Sequence, residues 1–412
     1  MAFTKQSQVR HLKDFLGLLI CCAALFSGNT NADVVNDWNR ISVEIIVSEV
    51  KSPSMASHVL AMTQSSVFEA VNAITREYPA KSMLEPVQEE ASVEAAVASA
   101  NREMLMYLLP KQEQAIEAAY DATINKIPEG DARENGIKVG LAASHAVVEW
   151  RNSLKGAEPE PYRPQTVPGV YVPTVQLAGP NWGKRATWVL DSSDQLRPAA
   201  PPALESKEWS RDYNEVLQLG AKDSAIRTDD QTEAALFWQA TAPSIYHPVL
   251  RSVTRMPGRE VTQNARLLAI AARAIDDALV AVFDAKYHYQ FWRPVTAIRN
   301  GDQDSNEQTE RVADWTPLIP TPMHPEYPCA HCVVSGAIAG VLQAELDGKP
   351  VPTLSTTSPA LPGVTRSWQS IDDFAQEVAD ARIYDGVHYR TSAETGTALG
   401  KAVAELAIEH AQ

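Results

Sequence analysis

Cysteine is scarce in this chain: 412 residues contain four, two of them (Cys21 and Cys22) inside a short apolar run near the start and two (Cys329 and Cys332) three positions apart near the end. Cys-Ala-His-Cys by itself is too cramped for a four-ligand zinc site, and no cluster of Asp and His suggests zinc or a di-iron centre. Basic residues are also in deficit. Lys and Arg number 36 against 51 Asp and Glu, giving a net charge of −15 and a pI near 5.1. Long-range steering of nucleic acid or of an anionic membrane is excluded on that balance, and any cationic site must be a local island in an acidic protein. Low-complexity tracts and internal repeats are absent, and with 45% hydrophobic residues the chain is not of the disordered class. Alternating apolar and polar runs of strand length are rare, which turns the expectation away from sheets.

No apolar run approaches the roughly 20 residues that a membrane-spanning helix needs. The longest candidate, FLGLLICCAALF at 15–26, follows Lys5, Arg10 and Lys13 and leads into small polar residues up to Asn31-Ala32. Residues 1–32 therefore read as a secretory signal, and the protein is expected in the periplasm or outside the cell. After cleavage the only thiols left are Cys329 and Cys332, in an oxidising compartment. They either form an intrachain disulfide or leave Cys329 as a free, readily oxidised thiol.

What is present reads helical. Met55, Val59, Met62, Val67, Val71 and Ile74 recur at helical spacing, as do Ile137, Leu141, Ala142, His145 and Val148, and Val261, Leu268, Ala272, Ile275, Leu279 and Val282. Thr228 with Gln231, Ser370 with Asp373 and Thr391 with Glu394 have the spacing of capping boxes. The expected fold is all-α, made of helical bundles with long Pro-rich connections. Residues 155–205 interrupt the helical pattern with PEPYRPQTVPGVYVPT and LRPAAPPAL. The embedded Tyr162, Tyr171, Trp182 and Trp188 favour an ordered strap across a bundle over a free linker. This organisation divides into residues 1–32 as leader, 33–205 as an N-terminal helical scaffold ending in the Pro-rich loop, and 206–412 as the catalytic half.

The chemistry concentrates in that C-terminal half. Lys286 stands seven residues before Arg293-Pro294, His331 lies in YPCAHC, and Arg382 stands six before His388. Two Arg and one Lys stay protonated and can donate to all four oxygens of a tetrahedral anion without competing for its protons. Two imidazoles add a bond to the central atom and a proton shuttle, because His titrates near neutral pH. Lys286 is expected just beyond a helix ending near Phe283-Asp284, with Arg293 on the same side if helix continues to Pro294. Pro328 precedes an apolar helical run, so residues 329–331 are expected to open a helix with free N–H groups facing an anion. Asp385-Gly386 reads as a turn that lets Arg382 and His388 face each other. His58, His145, His247, His288 and His410 read as structural or exposed.

These blocks resemble the vanadium-dependent haloperoxidases and the type-2 phosphatidic acid phosphatases that share their anion site. The family pattern is Lys, six residues, Arg-Pro; then Pro-Ser-Gly-His; then Arg, five residues, His. Lys286, Arg293, Pro294, Arg382 and His388 match it, as do Pro328 and His331, whereas Cys329 and Ala330 stand where the family has Ser and Gly. FWRPVTAIRN, HPEYP and SHVLAMTQSSVFEAVNAI favour the haloperoxidase branch. The resemblance implies helical bundles of haloperoxidase type and a vanadate cofactor, with oxygens held by Lys286, Arg293, Arg382 and the Cys329–Ala330 corner. It also implies His388 on the metal, His331 as acid/base, and Lys286 polarising hydrogen peroxide for halide attack. His324 is either beside the halide or a plain loop histidine next to Pro325. The alternative activity is an acid phosphatase, with His388 as nucleophile and His331 protonating the leaving alcohol. A third class is a binding protein that sequesters oxyanions without turnover.

Overall fold

The structure is a computed structural model and describes residues 33–78, 83–241 and 243–411. The expected leader, with Cys21 and Cys22, lies outside the described residues. From residue 33 onward the described residues form one compact unit.

Five helices build the N-terminal part: α1 (Val34–Glu49), α2 (Pro53–Thr75), α3 (Val93–Leu108), α4 (Glu113–Ile124) and α5 (Asp131–Ser153). Local chemistry marks their starts. The Asp33 side chain accepts from Val35 N, Ser52 from Met55 N and Ser92 from Ala95 N, and Pro53 occupies the first turn of α2. The apolar face of α5 is offset from the expected one. Leu141 and His145 are exposed, and the buried stripe is Gly136, Val139, Gly140, Ala143, Ser144 and Val147. Small residues win that face because α3 packs against it at close range, where large side chains would not fit.

The second part comprises α6 (Lys207–Leu219), α7 (Asp229–Phe237), α8 (Pro243–Thr254), α9 (Val261–Tyr289), α10 (Pro294–Arg299), α11 (Ala330–Leu346), α12 (Ile371–Tyr384) and α13 (Arg390–His410). α9 is apolar almost all round and is buried from Leu267 to Lys286 save for Arg273, the mark of a central helix. It packs on α2 on one side and on α11 and α13 on the other. One hydrophobic cluster accordingly takes residues from α1, α2, α3 and α5 as well as from α9, α11, α12 and α13. α11 and α13 approach so closely that a Cβ at Gly400 would lie 2.1 Å from the Val333 carbonyl oxygen.

Thr228 and Gln231 form the full capping box, and Ser370 caps α12 through Asp373 N. The third expected box does not form. α13 starts one residue earlier than Thr391, with Tyr389 at the cap, and the Thr391 N–H is taken by Asp212 Oδ2 at 2.9 Å. A short antiparallel hairpin, β1 (Leu354–Ser358) with β2 (Leu361–Trp368), is the sheet among the described residues, in an otherwise all-α fold. It is stitched to the helices by Thr356 Oγ1 donating to Ile245 O and Ser358 Oγ to Phe237 O.

The Pro-rich segment is an ordered strap with a single 3-10 turn at Trp182–Lys184. Its anchor is a pair of buried acids on α9. Asp277 accepts the backbone N–H groups of Trp188, Val189 and Leu190, while Asp276 accepts Trp188 Nε1 at 2.8 Å and sits 2.7 Å from His58 Nδ1. The long segment thus satisfies its own buried backbone on carboxylates fixed by the central helix.

Candidate active site

α9 carries the first site residue. The helix continues past Phe283-Asp284 to Tyr289 and ends at Gln290 in the left-handed conformation, so Lys286 lies within the last turn and not beyond it. The reason is packing: Tyr287 and Tyr289 are held by hydrogen bonds to Ala178 O and Pro198 O. The helix ends before Arg293, which caps α10 ahead of Pro294. Lys286 and Arg293 therefore meet across a helix end and an extended link, and not along two continuous turns.

Both cations are buried, and both are gripped by the same short segment. Lys286 Nζ donates to Pro325 O at 3.0 Å and Glu326 O at 2.7 Å. Arg293 donates from Nε to His324 O at 3.0 Å, from one terminal nitrogen to Val387 O at 2.7 Å, and from the other to His324 Nδ1 at 3.0 Å. Arg382, in the last turn of α12, donates to Trp238 O and pairs with Asp385 Oδ2, each at 2.7 Å. The Asp385-Gly386 turn, with Gly386 at φ 81°, returns the chain so that His388 N–H donates to Arg382 O. Only a residue without Cβ adopts that φ readily. His388 Nε2 ends 3.2 Å from an Arg293 terminal nitrogen. The structure thus brings together Lys286, Arg293, Arg382 and His388, the four residues on which the spacing argument rested.

α11 starts at Ala330, which puts His331 in its first turn. Cys329 and Cys332 form a disulfide between the cap and the third helical position, and Cys329 Sγ accepts from Cys332 N. Cys329 N–H donates to Ser392 O at 3.1 Å. That donor is therefore turned away from an anion, and the contribution of this corner narrows to Ala330 and His331, whose N–H groups belong to the unpaired first turn of the helix. His324 joins the site through Arg293, and its ring packs on Phe283 with centroids 5.3 Å apart. Phe283 and Tyr287 line a cavity of about 570 Å³ beside the strap, together with Tyr162, Arg163, Lys184 and Gln290. His145, His288 and His410 are exposed, while His58 and His247 are buried in polar networks away from the site.

Spacing did not single out Glu326. It is fully buried, with Oε1 2.6 Å from His388 Nδ1 and accepting Tyr389 N–H at 3.1 Å. The signal available was its place in HPEYP, immediately ahead of the helix that carries His331.

Electrostatics show what this cavity lacks. Burial, reinforced by Arg293, pushes the Lys286 ammonium well below its ordinary range, and burial lowers Arg293 to about 10. Burial first and the neighbouring cations second hold His388, His331 and His324 far below the usual imidazole range, so all three rings are neutral. Glu326 and Asp385 are raised by burial to about 7. Three cations thus share a desolvated site with two carboxylates, and Arg382 Nε and His331 Nε2 are buried without a hydrogen-bond partner. A bound anion would give both a partner and restore the cations' charge.

Comparison with known proteins fits this geometry. Residues 266–412 match the family described as the VCPO second helical-bundle domain, a stretch containing every residue of the cation and imidazole set. The C-terminal stretch of the chain is thus similar to the vanadium haloperoxidases. Vanadium chloroperoxidase of Curvularia inaequalis is 21% identical over 407 residues, covering 77% of this chain; this chain spans 66% of the length of that relative, just under two thirds. The structure of a bacterial vanadium-dependent iodoperoxidase aligns at TM-score 0.76 and 24% identity, covering 92% of this chain and 95% of its own. That of a holo bacterial vanadium-dependent chloroperoxidase aligns at 0.69 and 16%, covering 88% and 93%. At these identities the structural matches establish that the chain shares the fold of these proteins.

Proposed function

We propose that the protein is an exported, vanadate-dependent peroxidase of haloperoxidase type that oxidises a halide with hydrogen peroxide. The observation that carries this is the buried set Lys286, Arg293 and Arg382 around the start of α11, with Arg382 Nε and His331 Nε2 still lacking partners. The donor set fits a tetrahedral oxyanion: two guanidinium forks, one ammonium and the first-turn N–H groups of Ala330 and His331, all donors and none an acceptor. Lys286, Arg293 and Arg382 would hold the oxygens of vanadate, and His388 would be its protein ligand. When bound, vanadate supplies Lewis-acid activation of peroxide without a change of oxidation state, so no electron-transfer partner is implied.

The remaining work falls to side chains. Lys286 keeps one N–H beyond its two carbonyl bonds and can polarise an oxygen of the substrate. His331, neutral and with Nε2 free, can take a proton at that atom and return it. His324 and Phe283 form the wall on which a halide would meet the site. The disulfide supports both export and the peroxidase reading, because a cystine, unlike a free thiol, does not enter the sulfenic acid ladder when peroxide is near.

Phosphomonoester hydrolysis is the second reading, favoured by one contact: a carboxylate on His388 Nδ1 is the arrangement that activates an imidazole as nucleophile. Purified protein assayed for halide oxidation and phosphomonoester hydrolysis, with and without added vanadate, separates the two. Vanadate-dependent halide oxidation is expected. Hydrolysis that vanadate inhibits, with no halide oxidation at any vanadate level, would replace the first reading by the second.

A further inference from the structure

We infer that Glu326 is a positioning residue that fixes the tautomer of His388 and so decides which ring atom faces the oxyanion; this rests on the reading of His388 as the residue bonded to the central atom. The argument starts from donor inventory. Arg293 can only donate, so its contact with His388 Nε2 at 3.2 Å requires a bare lone pair on that nitrogen. In a neutral ring the proton then sits on Nδ1, and the acceptor waiting there is Glu326 Oε1 at 2.6 Å, a short, charge-assisted distance. The carboxylate is itself held in place, since Oε1 also accepts Tyr389 N–H at 3.1 Å. Ser392 Oγ, 3.5 Å from Nδ1, is too far to replace it.

The same residue is tied to the rest of the cation set. Its backbone oxygen and that of Pro325 hold Lys286, while the preceding His324 holds Arg293 through both carbonyl and ring. Three consecutive residues, His324, Pro325 and Glu326, thus orient Lys286, Arg293 and His388. Removing the carboxylate should release the ring without moving the backbone clamp, so its effect is separable from a general loss of the site. Partners of this kind behind a ligating His typically change affinity about 10- to 100-fold.

The test uses the chain without residues 1–32 and two variants. Glu326→Leu keeps bulk and removes the acceptor; Glu326→Gln keeps an oxygen for Tyr389 N–H and removes the charge. Histidine ¹⁵N shifts in vanadate-free protein report the tautomer, and calorimetry with vanadate reports affinity. The wild type is expected to show His388 protonated on Nδ1 alone. Glu326→Leu should show mixed tautomers and bind vanadate about 10- to 100-fold more weakly, with Glu326→Gln between the two and its Nδ1 proton resonance moved upfield. If Glu326→Leu does not fold, the proton shift and affinity of Glu326→Gln carry the decision. An unchanged His388 spectrum together with affinity within twofold of wild type overturns the inference. Wild-type protein that binds neither vanadate nor phosphate overturns the functional reading instead, while the ¹⁵N spectra still judge the Glu326–His388 bond.

Discussion

Replacing Asp385 by Ala probes the charge balance of the site without touching a residue assigned to bind the anion. Arg382 and Asp385 have side-chain exposures of 1% and 0% and lie 2.7 Å apart, and among the described residues neither has another ion-pair partner at that distance. Asp385 also accepts Val387 N–H at 3.1 Å, so its loss frees a turn donor as well. Breaking a buried pair from one side costs about 3–5 kcal/mol, because the surviving charge is left desolvated. With an unfolding entropy of about 2.1 cal/mol/K per residue over a chain of this size, that corresponds to a fall in melting temperature of roughly 4–6 °C. Phosphate should return part of the loss by supplying Arg382 with a new anion, so the variant gains more degrees from saturating phosphate than the wild type does. Calorimetric melting with and without phosphate measures both. A melting temperature within 1 °C of wild type, or an equal phosphate gain in the two proteins, would refute the picture of Arg382 as a buried cation short of countercharge.

Three further outcomes follow from other parts of the structure. His331→Ala should slow turnover about 10²- to 10⁴-fold while vanadate affinity stays within a few-fold, since the ring shuttles a proton and is not one of the cations; equal loss of both would make it a binding residue. Asp277, raised by burial from 3.8 to about 7 despite its backbone donors, binds a proton more tightly folded than unfolded. The stability it contributes is full below about pH 4 and lost as pH rises through 7, so wild type should lose more melting temperature between pH 4 and 8 than Asp277→Asn, and parallel curves would contradict this. Protein lacking residues 1–32 should yield no alkylated thiol before reduction and two after it, at Cys329 and Cys332; two thiols alkylated without reductant would remove the disulfide and turn the balance toward the phosphatase.

Lys286, Arg293, Arg382 and His388 were legible in the sequence because their mutual spacing is set by two local turns, at the end of α9 and at Asp385-Gly386. Cys329 and Ala330 were legible as small residues at a helix start, but the direction of the Cys329 N–H was not, since its acceptor, Ser392 O, lies far along the chain. The extent of α9 was hidden for a related reason. Tyr287, His288 and Tyr289 are indifferent helix formers, and the bonds that hold the two tyrosines reach residues 178 and 198. Glu326 was one acid among 51, and only the folded HPEYP loop reveals that it faces His388. On α5 the large apolar residues carry the helical periodicity, while close approach of α3 buries the small ones.

Titration calorimetry of orthovanadate into the chain without residues 1–32, repeated with phosphate present and with an Arg293→Ala, Arg382→Ala double variant, tests the central claim most directly. The account requires a single vanadate per chain, competition by phosphate, and loss of measurable binding in the double variant, because the donor shell recognises charge and tetrahedral shape. Vanadate affinity unchanged in the double variant would place the oxyanion elsewhere and contradict the assignment of this site.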